Sequence, residues 1–314
     1  MDHRSIISCQ FGQWYPSFRD IAFRSKVIEL PAAFVKYLVD DGVFLAADSN
    51  ALPRPAEPSP YDVYSDWSED DAEEAGQQDE AANMPEFPEL LAAIEAAIDD
   101  LGGCVAPKLN WSAPHDAAWV SSCKSLACRN ADEVLLLLKS SDRIAHDICH
   151  AFDACTEAPA EPPEFHLALR KWIPLRPERE FRCFVKGHDL AAISQRNIME
   201  NAAALEAQKD DLLEAMLEFF EEHVQRRFPE ADYTFDVYIT TAGAVRLMDF
   251  NPIGGTTSPL LFDWAELPYT LLNTGGAVMR PSVAVYGAPF DMVDNSEGSA
   301  ISELLRRLQT EEVD

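Results

Sequence analysis

The sequence has few basic side chains for its length. Its 314 residues include 25 Lys and Arg against 54 Asp and Glu, which gives a formal net charge of -29 at pH 7. DNA, RNA and membrane surfaces are negatively charged, and they repel such a chain unless its basic residues cluster. We therefore expect no nucleic-acid or membrane partner, and we expect a protein partner with a basic surface patch.

Several motifs of defined chemistry are also missing. There is no G-x-x-x-x-G-K-[ST] or G-x-G-x-x-G segment, so neither a P-loop nor a dinucleotide-binding fingerprint is present. The seven cysteines form no C-x-x-C pair, which argues against a zinc site and favours free thiols in a reducing compartment. The N-terminus has no signal-peptide pattern, and no apolar run is long enough to span a bilayer. These absences predict a soluble, cytoplasmic protein.

The composition changes sharply along the chain. Residues 1–47 mix aromatic and β-branched side chains and are expected to form an N-terminal segment packed on the core. Between Glu57 and Glu80 there are ten acidic residues and no basic one. Because such a stretch buries too little apolar surface to offset the entropy of ordering, residues 48–84 are predicted to be a disordered linker. Residues 275–314 are expected to be an irregular tail with a short final helix.

Local patterns predict an α+β fold. The segment PELLAAIEAAIDDL has helical apolar spacing and is followed by Gly102 and Gly103, which predicts a helix that ends there. Asn130 is a typical N-cap for a helix over 131–139. Strands are expected at CVAPKLN and FHLALRKWI, and hairpins at EFRCFVK–LAAISQR and YTFDVYIT–AVRLMDF. A long amphipathic helix is expected between the two hairpins.

The second hairpin carries polar side chains where apolar ones would be more stable. If its loop contains only residues 242–243, Asp236 lies directly opposite Asp249. Asn251, two positions further on, then shares the face of Asp249. Two opposed carboxylates repel each other, and a Mg²⁺ ion, which binds carboxylate and amide oxygens together with phosphates, would relieve the repulsion. The sequence therefore favours a magnesium site on this hairpin.

Two alternatives to this interpretation stay open. A three-residue loop would shift the register by one position and place Asp236 and Asp249 on opposite faces of the hairpin. Without a metal, both side chains could instead form turns or pair with nearby arginines.

The predicted strands carry basic residues in spite of the acidic composition. These residues are Lys108, Arg170, Lys171, Arg182 and Arg196. Single exposed cations signify little, but together they could neutralise a triphosphate, with Trp111 or Trp172 against the base. The backbone of the RKWI segment could bind an adenine edge.

Eight segments occur in an order and spacing that resemble the cell division cycle protein 123 family. The segments are CQFGQWYPSFRD, PEFPEL, PKLNWSAP.DA.W, LRKW, EFRCFVK, ISQR, FDVY and DFNP…SPLLFDW.EL, and the resemblance covers nearly the whole chain. It implies an ATP-grasp fold, in which two lobes with antiparallel sheets and flanking helices sandwich a nucleotide. Residues 85–160 would form the smaller lobe and residues 161–274 the larger lobe with the Mg²⁺ site.

The resemblance also assigns the site residues by position, with ATP and Mg²⁺ as cofactors. The implied ATP-binding residues are Lys108, Asn110, Trp111, Ser112, Ala113, Arg170, Lys171, Trp172, Arg182 and Arg196. The implied metal ligands are Asp236, Asp249 and Asn251. Lys108 would contact the α- and β-phosphates, residues 110–113 would line the adjacent loop, and residues 170–172 would form the adenine hinge. No catalytic residue is assigned.

The function implied by the resemblance is that of an assembly chaperone. Such a protein binds the gamma subunit of eukaryotic translation initiation factor two and helps the heterotrimer to form, supporting translation initiation and cell-cycle progression. We expect it to act as a monomer. The alternative from the fold is an ATP-dependent carboxylate-amine ligase, so enzymatic activity is left open here. A further alternative is a scaffold that binds no nucleotide. The loop after Asn251, IGGTTSPLLF, departs from the acidic pattern that is usual in the family.

Overall fold

The computed structural model describes residues 1–40, 87–197, 208–265, 267 and 277–280. The described residues form seven α-helices and eight β-strands. The helices are α1 His3–Ser8, α2 Phe11–Phe18, α3 Ala32–Val39, α4 Pro88–Leu101, α5 Ala131–Lys139, α6 Asp142–Cys149 and α7 Lys209–Phe219. The strands are β1 Ser25–Glu29, β2 Val105–Lys108, β3 His166–Lys171, β4 Glu180–Lys186, β5 Asp189–Gln195, β6 Tyr233–Ile239, β7 Val245–Pro252 and β8 Val278–Arg280. Short 3₁₀-helices lie at His115–Val120 and Pro177–Arg179, and a π-helical turn at Phe220–Val224 continues α7.

The chain divides into two compact units. The larger unit contains residues 1–24 and 151–163 and the described residues after 172, and the smaller unit contains residues 25–150 and 164–172. The predicted linker over 48–84 and the final helix of the tail lie outside the described residues, as do the first residues of the long predicted helix.

The smaller unit contains a three-stranded antiparallel sheet in the order β1-β3-β2. Its core joins the sheet to α3, α4, α5 and α6 through side chains that are fully or almost fully buried, such as Ile94, Leu135, Leu167 and Leu169. The α+β arrangement expected from the sequence is therefore present in this unit.

Helix α4 ends as the sequence predicts. Ile94 and Ile98 face the core, and Gly102 adopts a φ of 98°, a conformation that suits glycine because other side chains clash there. The amide of Gly102 donates to the carbonyl of Asp99 at 3.0 Å, and the amide of Gly103 donates to that of Ile98 at 2.9 Å. These two bonds are the Schellman pattern, which satisfies carbonyls that a helix leaves without partners at its C-terminus.

Helix α5 begins at the predicted cap, which yields a testable expectation. Asn130 Oδ1 accepts from the amide of Glu133 at 2.8 Å. Replacing Asn130 by alanine leaves that amide without its acceptor and should lower the free energy of unfolding by about 1 kcal/mol. Urea unfolding measures the change. Asn130→Asp keeps an acceptor and should stay near the wild type; equal losses in the two variants would contradict the capping role.

The larger unit contains a five-stranded sheet in the order β7-β6-β4-β5-β8. All neighbouring strands are antiparallel except β5 and β8, which are parallel. The edge of β7 is partly covered, because the amide of Leu247 donates to the carbonyl of Ile21 at 3.1 Å and Ala22 forms a parallel bridge to Leu247. Such covering protects an edge strand from pairing with other chains.

Both predicted hairpins are present, but their loops differ. In the first, Gly187 and His188 connect β4 to β5 with φ values of 61° and 68°, the two-residue loop in which both residues have positive φ. In the second, Ile239 pairs with Val245, and the amide of Thr240 donates to the carbonyl of Ala244 at 2.9 Å. The loop therefore comprises residues 241–243, and the predicted length of two residues was wrong.

The described helices include none that is both long and apolar enough to cross a membrane. All seven cysteines are free thiols, as expected, and Cys9, Cys128 and Cys183 are buried.

Candidate functional site

A β-bulge sets the register of the two carboxylates in the larger unit. Next to the loop, Val237 pairs with Leu247, whereas Asp236 pairs with Asp249, so Met248 is the extra residue on β7. The three-residue loop shifts the register by one position, and the bulge shifts it back. The predicted pairing of Asp236 with Asp249 is therefore confirmed, although the assumed loop was wrong.

Asp236 is held by an arginine on the neighbouring strand. Arg182 lies directly opposite Asp236 in the pairing of β4 with β6. Its Nε and Nη2 donate to the two carboxylate oxygens of Asp236 at 2.8 Å and 2.9 Å. The side chains of Arg182 and Asp236 are only 8% and 1% exposed. This buried, two-bond ion pair compensates the charge that would otherwise make Asp236 costly in a strand.

A second arginine extends this cluster. Arg196 Nη1 lies 3.2 Å from Asp236 Oδ2 and 3.9 Å from Glu180 Oε2. The Arg196 side chain is 35% exposed, so it can reach both the buried carboxylate and solvent. Asp236 thus interacts with two of the basic residues that the sequence pointed to.

The electrostatics of Arg182 place Asp249 close to the same cluster. Burial alone would lower the pKa of Arg182, because desolvation disfavours the charged guanidinium. The charge and hydrogen bonds of Asp236, with the charge of Asp249, outweigh that effect and raise the pKa above its usual value. Arg182 therefore stays protonated and acts as a fixed positive charge beside both carboxylates.

Asn251 and the loop after β7 complete the group. Asn251 Nδ2 donates to Asp236 Oδ2 at 3.5 Å, and Arg182 Nη1 donates to the carbonyl of Ser258 at 2.9 Å. Arg182 thus connects the carboxylates to the loop whose sequence departs from the family pattern.

The oxygen set fits a hard cation such as Mg²⁺. It offers two carboxylates and one amide oxygen, which are the ligand types that this ion prefers. Asp236 already accepts from Arg182 and contacts Arg196 and Asn251, so a cation there would share a carboxylate with these side chains. No described group of three or more His, Cys, Asp or Glu side chains is arranged for a metal, and the candidate set contains only two acids.

The other candidate residues belong to the smaller unit and lie near opposite ends of β2. Lys108 and residues 110–113 lie at and after its last residue, whereas residues 170–172 lie beside its first residues. Lys108 is 6% exposed, and its Nζ donates to the carbonyl of Trp111. Asn110 is fully buried and bridges to the start of β3, because its Nδ2 donates to the carbonyl of Glu164 at 2.8 Å and its Oδ1 accepts from the amide of His166 at 2.7 Å. These bonds fix the loop of residues 109–113, which we call the β2 loop.

Sequence reasoning missed Asp147, which contacts the β2 loop. One oxygen of Asp147 accepts from the amides of Trp111 and Ser112 at 3.3 Å and 2.7 Å, and the other accepts from the Ser112 hydroxyl at 2.8 Å. Burial raises the pKa of Asp147, while the Ser112 hydroxyl and the charge of Lys108 act in the opposite direction. The one available signal was an acidic residue among the apolar positions of α6.

The predicted hinge comprises the last two residues of β3 and Trp172, which follows the strand. Arg170 pairs with Ser25 on one side and Ala106 on the other, and Lys171 pairs with Val105. The amide of Trp172 donates to the carbonyl of Cys104 at 3.0 Å, and its ring packs partly buried against the core. The carbonyl of Ala113, the remaining candidate, accepts from the amide of His115 at 2.8 Å.

Comparisons with known proteins agree with this architecture. The D123 family model matches residues 14–311. The "Translation initiation factor eIF2 assembly protein" of Xenopus laevis is 36% identical over 328 residues, covering 97% of this chain and 95% of that protein. The protein of the same name from Schizosaccharomyces pombe is 38% identical over 329 residues, with 97% and 95% covered.

A solved structure is similar as well. It is the C-terminally truncated Cdc123 from Schizosaccharomyces pombe, which matches with a TM-score of 0.72 at 34% identity, covering 90% of this chain and 98% of that chain. The α+β, ATP-grasp fold expected from the sequence is confirmed, with two largely antiparallel sheets and flanking helices.

Proposed function

Because this chain belongs to the D123 family, we propose that it is an assembly chaperone of eukaryotic translation initiation factor two. In this proposal the chain acts as a monomer in the cytoplasm, binds the gamma subunit and promotes formation of the heterotrimer. The names of relatives that align over 97% of the chain support the assembly role. The net charge of -29 supports a partner with a basic surface, because opposite charge steers the two proteins together.

The proposal includes binding of ATP with Mg²⁺. The observation that carries this part is the pairing of Asp236 with Asp249 beside two arginines. Such a cluster offers oxygen ligands for the cation and fixed positive charge for phosphates. Asp236, Asp249 and Asn251 would hold the metal, and Arg182 and Arg196 would face the phosphates. A bound magnesium ion would neutralise phosphate charge and order the phosphate chain.

The smaller unit would supply the other contacts. Lys108 is proposed to bind the α- and β-phosphates, residues 110–113 to line the adjacent loop, and residues 170–172 to contact the adenine. In this function nucleotide binding stabilises a form of the chain that is competent to bind its partner, and hydrolysis is not required.

A thermal shift measurement tests the nucleotide site. Mg-ATP at about 100 times its dissociation constant should stabilise the wild type by roughly 2.7 kcal/mol. Asp249→Ala should lose most of this stabilisation, because a metal ligand is removed. Asp189→Ala, which removes an exposed carboxylate of the same sheet, is the matched control and should respond like the wild type. An unchanged shift in Asp249→Ala would overturn the metal assignment.

Capture of the purified gamma subunit tests the assembly role. The chain should bind the subunit, and added Mg-ATP should strengthen the complex without net release of ADP. Turnover of ATP only when a carboxylate and an amine substrate are supplied would instead indicate a ligase.

A further inference from the structure

The β2 loop binds a carboxylate of the protein itself, that of Asp147. Two consecutive backbone amides, those of Trp111 and Ser112, point at one oxygen of Asp147, and the Ser112 hydroxyl binds the other oxygen. Adjacent amides arranged in this way form a concavity that suits a carboxylate or a phosphate oxygen. In this chain the carboxylate of Asp147 fills it.

We propose that Asp147 is a positioning residue. Its carboxylate accepts the hydrogen bonds of the Trp111 and Ser112 amides, and this contact holds the β2 loop so that the Lys108 ammonium group is placed to bind the phosphates of the nucleotide. The inference rests on the proposed role of Lys108 in the function above. It adds that the phosphates are bound by side chains in this region and that the Trp111 and Ser112 amides do not bind them.

The position of Asp147 on α6 makes this contact rigid. Asp147 and Ile144 are three residues apart and are the buried residues of α6, so they share the face that meets the core. The helix is fixed at its start, where the Ser141 hydroxyl accepts from the amide of Ile144 at 3.3 Å and donates to Asp116 at 2.6 Å. Asp147 therefore reaches the β2 loop from a helix that is anchored at its N-terminus and packed along one side.

Burial and charge also favour the internal contact. Asp147 is 5% exposed, and a carboxylate so deeply buried needs several donors and a nearby positive charge. Three donors come from the loop, and the charge of Lys108 acts on the same carboxylate. If a phosphate bound the loop amides in place of Asp147, the buried Asp147 carboxylate would lose its hydrogen-bond donors. Replacement of Asp147 by a phosphate is therefore unfavourable.

Lys108 is tied to the same loop. Its Nζ donates to the carbonyl of Trp111, and the amide of Leu109 donates to the carbonyl of Ser112 at 2.9 Å. The loop is thus closed on itself between Lys108 and Ser112 and is attached to α6 by the bonds to Asp147. Loss of those bonds should loosen the loop and the ammonium group together.

The first experiment compares nucleotide affinities of the full chain. Calorimetry gives the dissociation constants of Mg-ATP and adenosine for the wild type, Asp147→Asn and Ser112→Ala. We expect the Mg-ATP affinity to fall about tenfold in Asp147→Asn and less in Ser112→Ala, with adenosine affinity unchanged. Asp142→Asn, an exposed residue of the same helix, is the matched control and should keep wild-type affinities. If the affinity falls for Mg-ATP but not for adenosine, the variant has lost the positioning of Lys108 and has not lost its structure in general.

The sign of the change decides between the two roles of the loop. If the amides bind phosphate and Asp147 merely competes for them, Asp147→Asn should bind Mg-ATP more tightly than the wild type. A tighter or unchanged affinity in that variant would overturn the proposal.

A second measurement does not depend on the nucleotide. Amide hydrogen exchange at Trp111 and Ser112 should be slow in the free wild type and faster in Ser112→Ala and Asp147→Asn. Fast exchange in the free wild type, or equal rates in the wild type and Asp147→Asn, would contradict the contact. If the wild type fails to bind Mg-ATP, the proposed nucleotide function fails, while the exchange rates still decide whether Asp147 holds the loop.

Discussion

Replacement of Arg182 by methionine should lower the free energy of unfolding by about 3–5 kcal/mol. The reason is Asp236, which is 1% exposed and would lose both bonds of its ion pair with Arg182. Methionine keeps much of the apolar stem, so the loss reports on charge more than on volume. Arg196, at 3.2 Å, and Asn251, at 3.5 Å, would still contact Asp236. Urea unfolding of the wild type and the variant measures the change.

Two comparisons isolate the cause of that loss. The double variant Arg182→Met with Asp236→Leu removes both charges and should regain most of the lost stability, because well-packed apolar residues can replace a buried ion pair at little cost. Lys186→Met breaks a half-exposed ion pair with Asp232 in the same sheet and should cost no more than about 1 kcal/mol. A loss in Arg182→Met as small as that in Lys186→Met would show that Asp236 does not depend on Arg182.

Replacement of Phe250 by alanine should cost about 3–5 kcal/mol. Phe250 is 1% exposed on β7 and is the centre of an aromatic cluster in the larger unit. Its ring centroid lies within 6.2 Å of five other rings, those of Trp14, Phe18, Phe228, Tyr233 and Phe235. Truncation removes contacts with all of them and leaves a cavity that the rigid sheet cannot close.

Two other substitutions calibrate the Phe250 result. Phe250→Leu fills part of the space and should lose clearly less than the alanine variant. Trp119→Ala removes an aromatic ring that is 75% exposed and should change stability by no more than about 0.5 kcal/mol. Denaturant unfolding of the three variants tests the order. Equal losses in Phe250→Ala and Trp119→Ala would mean that the cluster does not stabilise the unit.

Features set by neighbouring residues could be predicted from the sequence. The end of α4 follows from Gly102 and Gly103, and the start of α5 follows from Asn130, because capping is decided within one helical turn. The turn at Gly187 and His188 has the same local origin. The cluster around Asp236 could also be predicted, because Asp236, Asp249 and Asn251 lie in a hairpin where apolar side chains would be more stable.

Features set by distant contacts could not be predicted. Arg182 and Asp236 are separated by 54 residues, and nothing local shows that they form a two-bond ion pair. Asp147 acts on a loop 35 residues away, and its own helix was not predicted. The bulge at Met248 restores the pairing of Asp236 with Asp249 after the three-residue loop. No local pattern signals this bulge, so the loop length alone left two registers open. Three expectations stay predictions: the disordered linker over 48–84, the irregular tail over 275–314, and the lobe boundaries at 85–160 and 161–274.

The chain order of the two units has a consequence for folding during synthesis. All described residues of the smaller unit precede residue 173, whereas residues 1–24 belong with strands that begin at residue 180. On the ribosome the smaller unit can therefore complete its sheet while the N-terminal residues still lack their partners. Trp14 must wait for Phe250, 236 residues later, and pairing over such a distance is slow because the connecting chain loses entropy. The N-terminal helices then expose apolar surface for most of translation, and exposed apolar surface favours non-native association of a nascent chain.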